Sequence, residues 1–105
     1  MNKYGNKKIK DPATGYVFDS KAEFIRWCEL RILERAGKIS DLKRQVKYEL
    51  IPKQDGERAC NYVADFVYTQ GGNTVVEDTK GMRTDAYKIK KKLMLWVHGI
   101  RIKET

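Results

Sequence analysis

In the stretch "TVVEDTKGM" an apolar pair, Val75-Val76, runs directly into Glu77, Asp78, Thr79 and Lys80. A strand that looks buried thus ends in a burst of opposite charges. Successive strand side chains alternate between faces, so Asp78 and Lys80 share one side while Glu77 and Thr79 share the other. A second acid, Asp65, lies inside the apolar run "YVADFVY", where a carboxylate has no packing purpose. Asp65 and Asp78 are thirteen positions apart across a Gly-Gly turn, short enough for adjacent antiparallel strands, so their carboxylates can converge. Two neighbouring carboxylates repel unless a cation sits between them, and such a pair suits a hard divalent ion. Magnesium is the expected ion, with manganese able to substitute, and the backbone carbonyl of Thr79 is a further candidate oxygen ligand. Lys80, on the same face, can neutralise charge on a pentavalent phosphorus. The layout suits phosphodiester hydrolysis. The plain alternative for Asp78 and Lys80 is an ion pair at a strand end, and Asp65 tips the balance against it. Glu77, on the opposite face, reads as a solvated or salt-bridged strand residue.

These residues need a sheet to bring them together. Ser20 followed by Glu23 is a capping-box pattern, and Phe24, Ile25, Cys28, Ile32 and Ala36 recur at helical spacing until Gly37, predicting a helix over 20–36. The capping box alone accounts for Glu23. Alternation in 39–51 predicts one strand or two short ones, "PKQDGER" a turn, and "ACNYVADFVYT" a strand. "QGGN" then signals a hairpin into "TVVEDTK". Thr84 or Asp85 can cap a second helix with the stripe Ala86, Ile89, Leu93 and Trp96, ended by Gly99, and "IRIKE" alternates as a last short strand. The order is α-β-β-β-α-β in a mixed α/β fold. Residues 1–15 read as a basic flexible arm and 16–105 as a single domain, which suits a 105-residue chain.

Lysine and arginine number 22 against 14 acids, a formal charge of +8, so an anionic partner is the first expectation. Between Lys80 and Lys103 the cations face only Asp85. Lys88, Lys91 and Lys92 fall on one side of the second helix, and with Arg83 and Tyr87 they are candidate contacts to a DNA backbone. A solvated helix face is the alternative. The single histidine and two cysteines exclude a zinc finger, a His-Asn-His nuclease site and most metalloprotease chemistry. Cys28 and Cys60 read as reduced core residues, which fits a cytoplasmic protein. No apolar run approaches a membrane span, and His98, at a helix end, reads as structural.

Asp65 followed across a hairpin by Asp78-Thr79-Lys80 resembles the PD-(D/E)xK nuclease signature, and the element order resembles that superfamily's restriction-endonuclease-like core. "FDSKAE", "YVADF" and "VVEDTKGM", in this order, are similar to the motifs of small phage-encoded endonucleases that resolve Holliday junctions. The resemblance spans about 18–102, with Ala64 standing where the motif has proline. It implies magnesium-dependent cleavage of branched DNA, with Asp65 and Asp78 as metal ligands, Lys80 as the catalytic lysine and Glu23 as a helix-borne acid, possible as a further ligand. A chain with one active site that cuts two strands symmetrically is expected to form a C2 homodimer, with exposed apolar surface on the first helix or early strands. Alternative functions are a sequence-specific or non-specific endonuclease or nickase, a non-enzymatic basic DNA-binding protein, and a ribonucleoprotein subunit.

Overall fold

The computed structural model describes residues 7–80 and 82–105. It is a mixed α/β fold of two helices and a mixed four-stranded sheet, preceded by a small hairpin. That hairpin pairs β1 (Ile9–Lys10) with β2 (Val17–Phe18). The helix α1 (Lys21–Arg35) leads to the sheet strands β3 (Ser40–Ile51), β4 (Cys60–Gln70) and β5 (Asn73–Asp78). A second helix, α2 (Asp85–His98), crosses over to β6 (Lys103–Glu104). The sheet order is β3-β4-β5-β6, with the last pair parallel and the others antiparallel.

Local chemistry accounts for the boundaries. The Ser20 hydroxyl accepts the Glu23 N–H at 3.1 Å, and that of Thr84 accepts the Tyr87 N–H at 3.1 Å, so each helix begins on a satisfied donor. Gly71 and Gly72 turn the β4–β5 hairpin with φ of 58° and 81°, a pair of left-handed conformations that side chains resist. Part of the expected flexible arm is structured. The Asp11 carboxylate accepts from the Ala13 N–H and the Thr14 hydroxyl, and the Asp11 N–H donates to Tyr16 O, which closes the turn between β1 and β2. Residues 1–6 of that arm lie outside the described residues.

Both apolar stripes expected on the helices face outward in part. On α1 the buried residues are Glu23, Trp27 and Leu30, while Ile25, Cys28 and Ile32 are exposed. Trp27 stacks over Phe66 at 6.1 Å between ring centroids and packs beside Phe18, and this aromatic demand sets the helix rotation. Cys28 is therefore a surface residue, and Cys60 is half-buried. On α2 the buried residues are Tyr87 and Met94, whereas Ile89 and Trp96 are exposed, Trp96 at 87%.

Two cores result. Leu50, Tyr62, Ala64, Val76, Tyr87, Met94 and Ile102 cluster beneath α2. Phe18, Trp27, Leu30, Ile39, Phe66 and Tyr68 cluster beneath α1. Strand parity would keep Tyr62, Ala64, Phe66 and Tyr68 on one face, yet they divide between the clusters at Asp65. The partner strand shows why. Arg44 pairs with Phe66 and Val46 with Ala64, so Gln45 stands across from Asp65, and Gln45 has φ of 55°. A non-glycine residue in this region costs about 1–3 kcal/mol. The change of core falls at this pair and leaves Asp65 at the seam.

Candidate active site

Asp65, Asp78, Lys80 and Glu23 meet at this seam. Asp65 comes from the middle of β4, Asp78 from the end of β5, Lys80 from the segment after it, and Glu23 from the first turn of α1. Glu23, Asp65 and Asp78 are all buried, Asp78 completely. The Thr79 N–H donates to Asp65 Oδ2 at 2.9 Å, tying the two strand ends together. The Tyr62 hydroxyl donates to Asp78 Oδ2, and Lys80 Nζ lies 3.2 Å from Asp78 Oδ1. Asp78 Oδ1 nevertheless takes no hydrogen bond, although it is buried. The close approach of Lys80 is thus charge pairing without hydrogen-bond alignment. Burial pushes the Tyr62 hydroxyl well above its usual range, and the Asp78 carboxylate adds to this, so Tyr62 remains a donor.

The electrostatics are those of crowded carboxylates. Burial is the largest influence on Asp65 and pushes it up to about 7, with Asp78 and Glu23 adding to the rise against the Thr79 N–H and Lys80. Glu23 is also raised, by burial first and then by Asp19, while Arg44 and Lys80 pull it down. Arg44 Nη2 stands 3.8 Å from Glu23 Oε1, and Gln45 Nε2 donates to the same oxygen at 3.5 Å. Arg44 is fixed in turn by Val17 O at 3.0 Å and by the Phe18 ring at 4.4 Å.

The chemistry of this donor set fits a hard cation. Magnesium commonly takes one or two carboxylates and completes its shell with water and phosphate oxygens. Asp65 and Asp78 offer two such carboxylates, and Asp78 Oδ1, paired in charge with Lys80, accepts no hydrogen bond. Among the described residues no three His, Cys, Asp or Glu side chains gather closely enough to hold an ion by themselves. Glu23 faces the pair without joining it as a third close carboxylate.

The expected DNA-contacting residues divide into two groups. Lys88 and Lys92 are exposed and form no ion pair among the described residues. Arg83, Tyr87 and Lys91 all engage Glu104 of β6. The apparent lack of acidic partners in this segment is therefore corrected, because Glu104 lies just beyond the basic run and the parallel strand returns it to α2. Glu77 is salt-bridged as one alternative held, but it is fully buried instead of solvated. Arg26 Nε and Nη2 grip its two oxygens, and the Tyr68 hydroxyl donates to Oε2 at 2.6 Å. Burial opposes its ionisation, but Arg26 and Tyr68 together hold it below the usual range. His98 is structural, with Nε2 2.7 Å from Glu49 O.

Tyr62, Arg44 and Gln45 were not among the sequence candidates. Strand parity puts Tyr62 on the face away from Asp65 and Asp78, and it meets Asp78 only because β4 changes core at Asp65. Nothing local announces the positive φ of Gln45.

Fold and cluster together define a small mixed α/β domain with a buried acidic site approached by one lysine. The chain belongs to the family described as "Protein of unknown function (DUF1064)", which matches residues 1–101. No curated protein and no solved structure matches it. Among the described residues no helix is long and apolar enough to cross a membrane.

Proposed function

We propose that this protein is a magnesium-dependent endodeoxyribonuclease with a restriction-endonuclease-like core, acting on branched DNA as a C2 homodimer in the cytoplasm. The observation that carries the reading is Asp78 Oδ1, a fully buried carboxylate oxygen without a hydrogen bond, beside Asp65 and Lys80. Lys80 alone does not balance the charge of Asp65 and Asp78 together, so a second cation is favoured beside the pair. Asp65 and Asp78 would hold the ion, with the Thr79 carbonyl and Glu23 as candidate further ligands. Magnesium bound there would supply positive charge at the scissile phosphate and acidify an attacking water.

The chain's own residues then divide the work. The Thr79 N–H and the Tyr62 hydroxyl aim the two carboxylates, and burial keeps their charge unscreened. Lys80, partly exposed and paired with Asp78, would compensate negative charge gathering on phosphorus. Arg44 and Gln45 hold Glu23 near the pair. Lys88 and Lys92 supply a cationic face for the backbone. Preference for branched over linear DNA rests on the sequence resemblance.

Incubation with a four-way junction and a linear duplex of the same sequence, with and without Mg²⁺, tests the reading. The expected result is ion-dependent cleavage of the junction that Asp78→Asn abolishes while binding is kept. Equal cleavage of both DNAs would leave a structure-independent nuclease. No cleavage by either protein, with binding intact, would leave a basic DNA-binding protein.

A further inference from the structure

Three donors from the first half of α2 and the segment before it converge on one carboxylate. Arg83 Nε donates to Glu104 Oε2 at 2.8 Å, the Tyr87 hydroxyl donates to the same oxygen at 2.9 Å, and Lys91 Nζ donates to Oε1 at 2.8 Å. Lys91 first, then Tyr87, hold the Glu104 carboxyl down to about 2. Two cations and a hydroxyl thus surround a single negative charge. One glutamate does not neutralise them, and a phosphodiester presents the same motif of one charge on two free oxygens.

The position of this cradle is equally specific. Glu104 is the register partner of Asp78 across the parallel β5–β6 pair, and neighbouring strands lie about 4.8 Å apart. Lys80, which reaches Asp78, also stands over the Tyr87 ring at 5.3 Å, so the acidic pair and the cradle share a wall. Solvent reaches two of the three donors, since the side chains of Arg83 and Lys91 are 54% and 43% exposed, while Tyr87 is buried behind them. On the far side, a depression lined by Lys91, Lys92, Leu95, Arg101 and Ile102 continues the positive surface. Lys92 and Arg101 form no ion pair among the described residues.

We infer that Arg83, Tyr87 and Lys91 form a phosphate subsite for the DNA strand beside the acidic pair, and that Glu104 occupies it until a backbone phosphate displaces it. The identity of the ligand rests on the nuclease reading; the existence of an anion site does not. Displacement needs only the Glu104 side chain to turn outward, because the β6 backbone stays held by Asp78 O, which accepts the Thr105 N–H at 3.0 Å.

The test compares Glu104→Gln with Glu57→Gln, which removes the same charge from an exposed turn. Inorganic phosphate is titrated while the Arg83 Nε and Tyr87 ring resonances are followed by NMR. Glu104→Gln should bind phosphate about tenfold more tightly than the unaltered protein, Glu57→Gln should match the unaltered protein, and adding Lys91→Met to Glu104→Gln should remove the gain. Four-way-junction DNA in EDTA should show the same ranking of affinities. Equal phosphate binding by the two glutamine variants overturns the inference, as does a gain for phosphate with none for DNA. A protein that cleaves nothing yet shows both gains fails as a nuclease while keeping the subsite; one that cleaves without them loses the subsite alone.

Discussion

Replacing Asp65 by asparagine should stabilise the ion-free protein at neutral pH while destroying its affinity for magnesium. Burial raises the Asp65 carboxyl to about 7 from an ordinary 3.8, a gap of about three pH units. At 1.36 kcal/mol for each pH unit, this is on the order of 4 kcal/mol of folding free energy lost when the group ionises. The sign follows from proton counting. Between pH 3.8 and about 7 the native state holds a proton at Asp65 that the unfolded chain has released, so stability falls as pH climbs through that window. Above it, the full penalty remains. Urea unfolding in EDTA, followed from pH 5 to pH 8, should show this decline in the unaltered protein and a much flatter profile for Asp65→Asn. Subtracting one profile from the other cancels the groups remote from Asp65. Saturating magnesium should restore stability to the unaltered protein at pH 8 and leave the variant unmoved, because the ion replaces the proton as the partner of the carboxylate. Parallel profiles in EDTA would refute the reasoning, since Asp65 would then be as well solvated in the native state as in the unfolded one.

Arg26→Met should cost about 3–5 kcal/mol in the same assay, because it leaves the Glu77 carboxylate buried with only the Tyr68 hydroxyl, and adding Glu77→Leu should recover most of the loss. Lys88→Ala and Lys92→Ala should each weaken DNA binding across all sequences and flatten its salt dependence by about one phosphate, as read by fluorescence anisotropy at several salt concentrations.

The sequence pattern revealed the elements more clearly than their orientation. The caps at Ser20 and Thr84 and the Gly71-Gly72 turn are local devices whose chemistry is written in a few neighbouring residues, and the structure carries them. Which way a helix faces depends on residues far away. The stripes of Ile25, Cys28 and Ile32 and of Ile89 and Trp96 are regular, yet Trp27 and Tyr87 win the inward positions because aromatic partners on distant segments receive them. The acidic pair was legible because Asp65 interrupts an apolar strand, an anomaly visible without coordinates. The partners that hold it were not. Tyr62 reads as an ordinary strand aromatic, and the capture of Arg83 and Lys91 by Glu104 depends on a parallel return that charge counting does not see.

The change of core at Asp65 bears on how the molecule comes apart. It divides a single hairpin between two cores, each roofed by its own helix, so either half has a route to loosen while the other persists. The acidic pocket draws Glu23 from one half and Tyr62 from the other. Opening on either side dismantles it, so heat should silence the pocket before the sheet has melted.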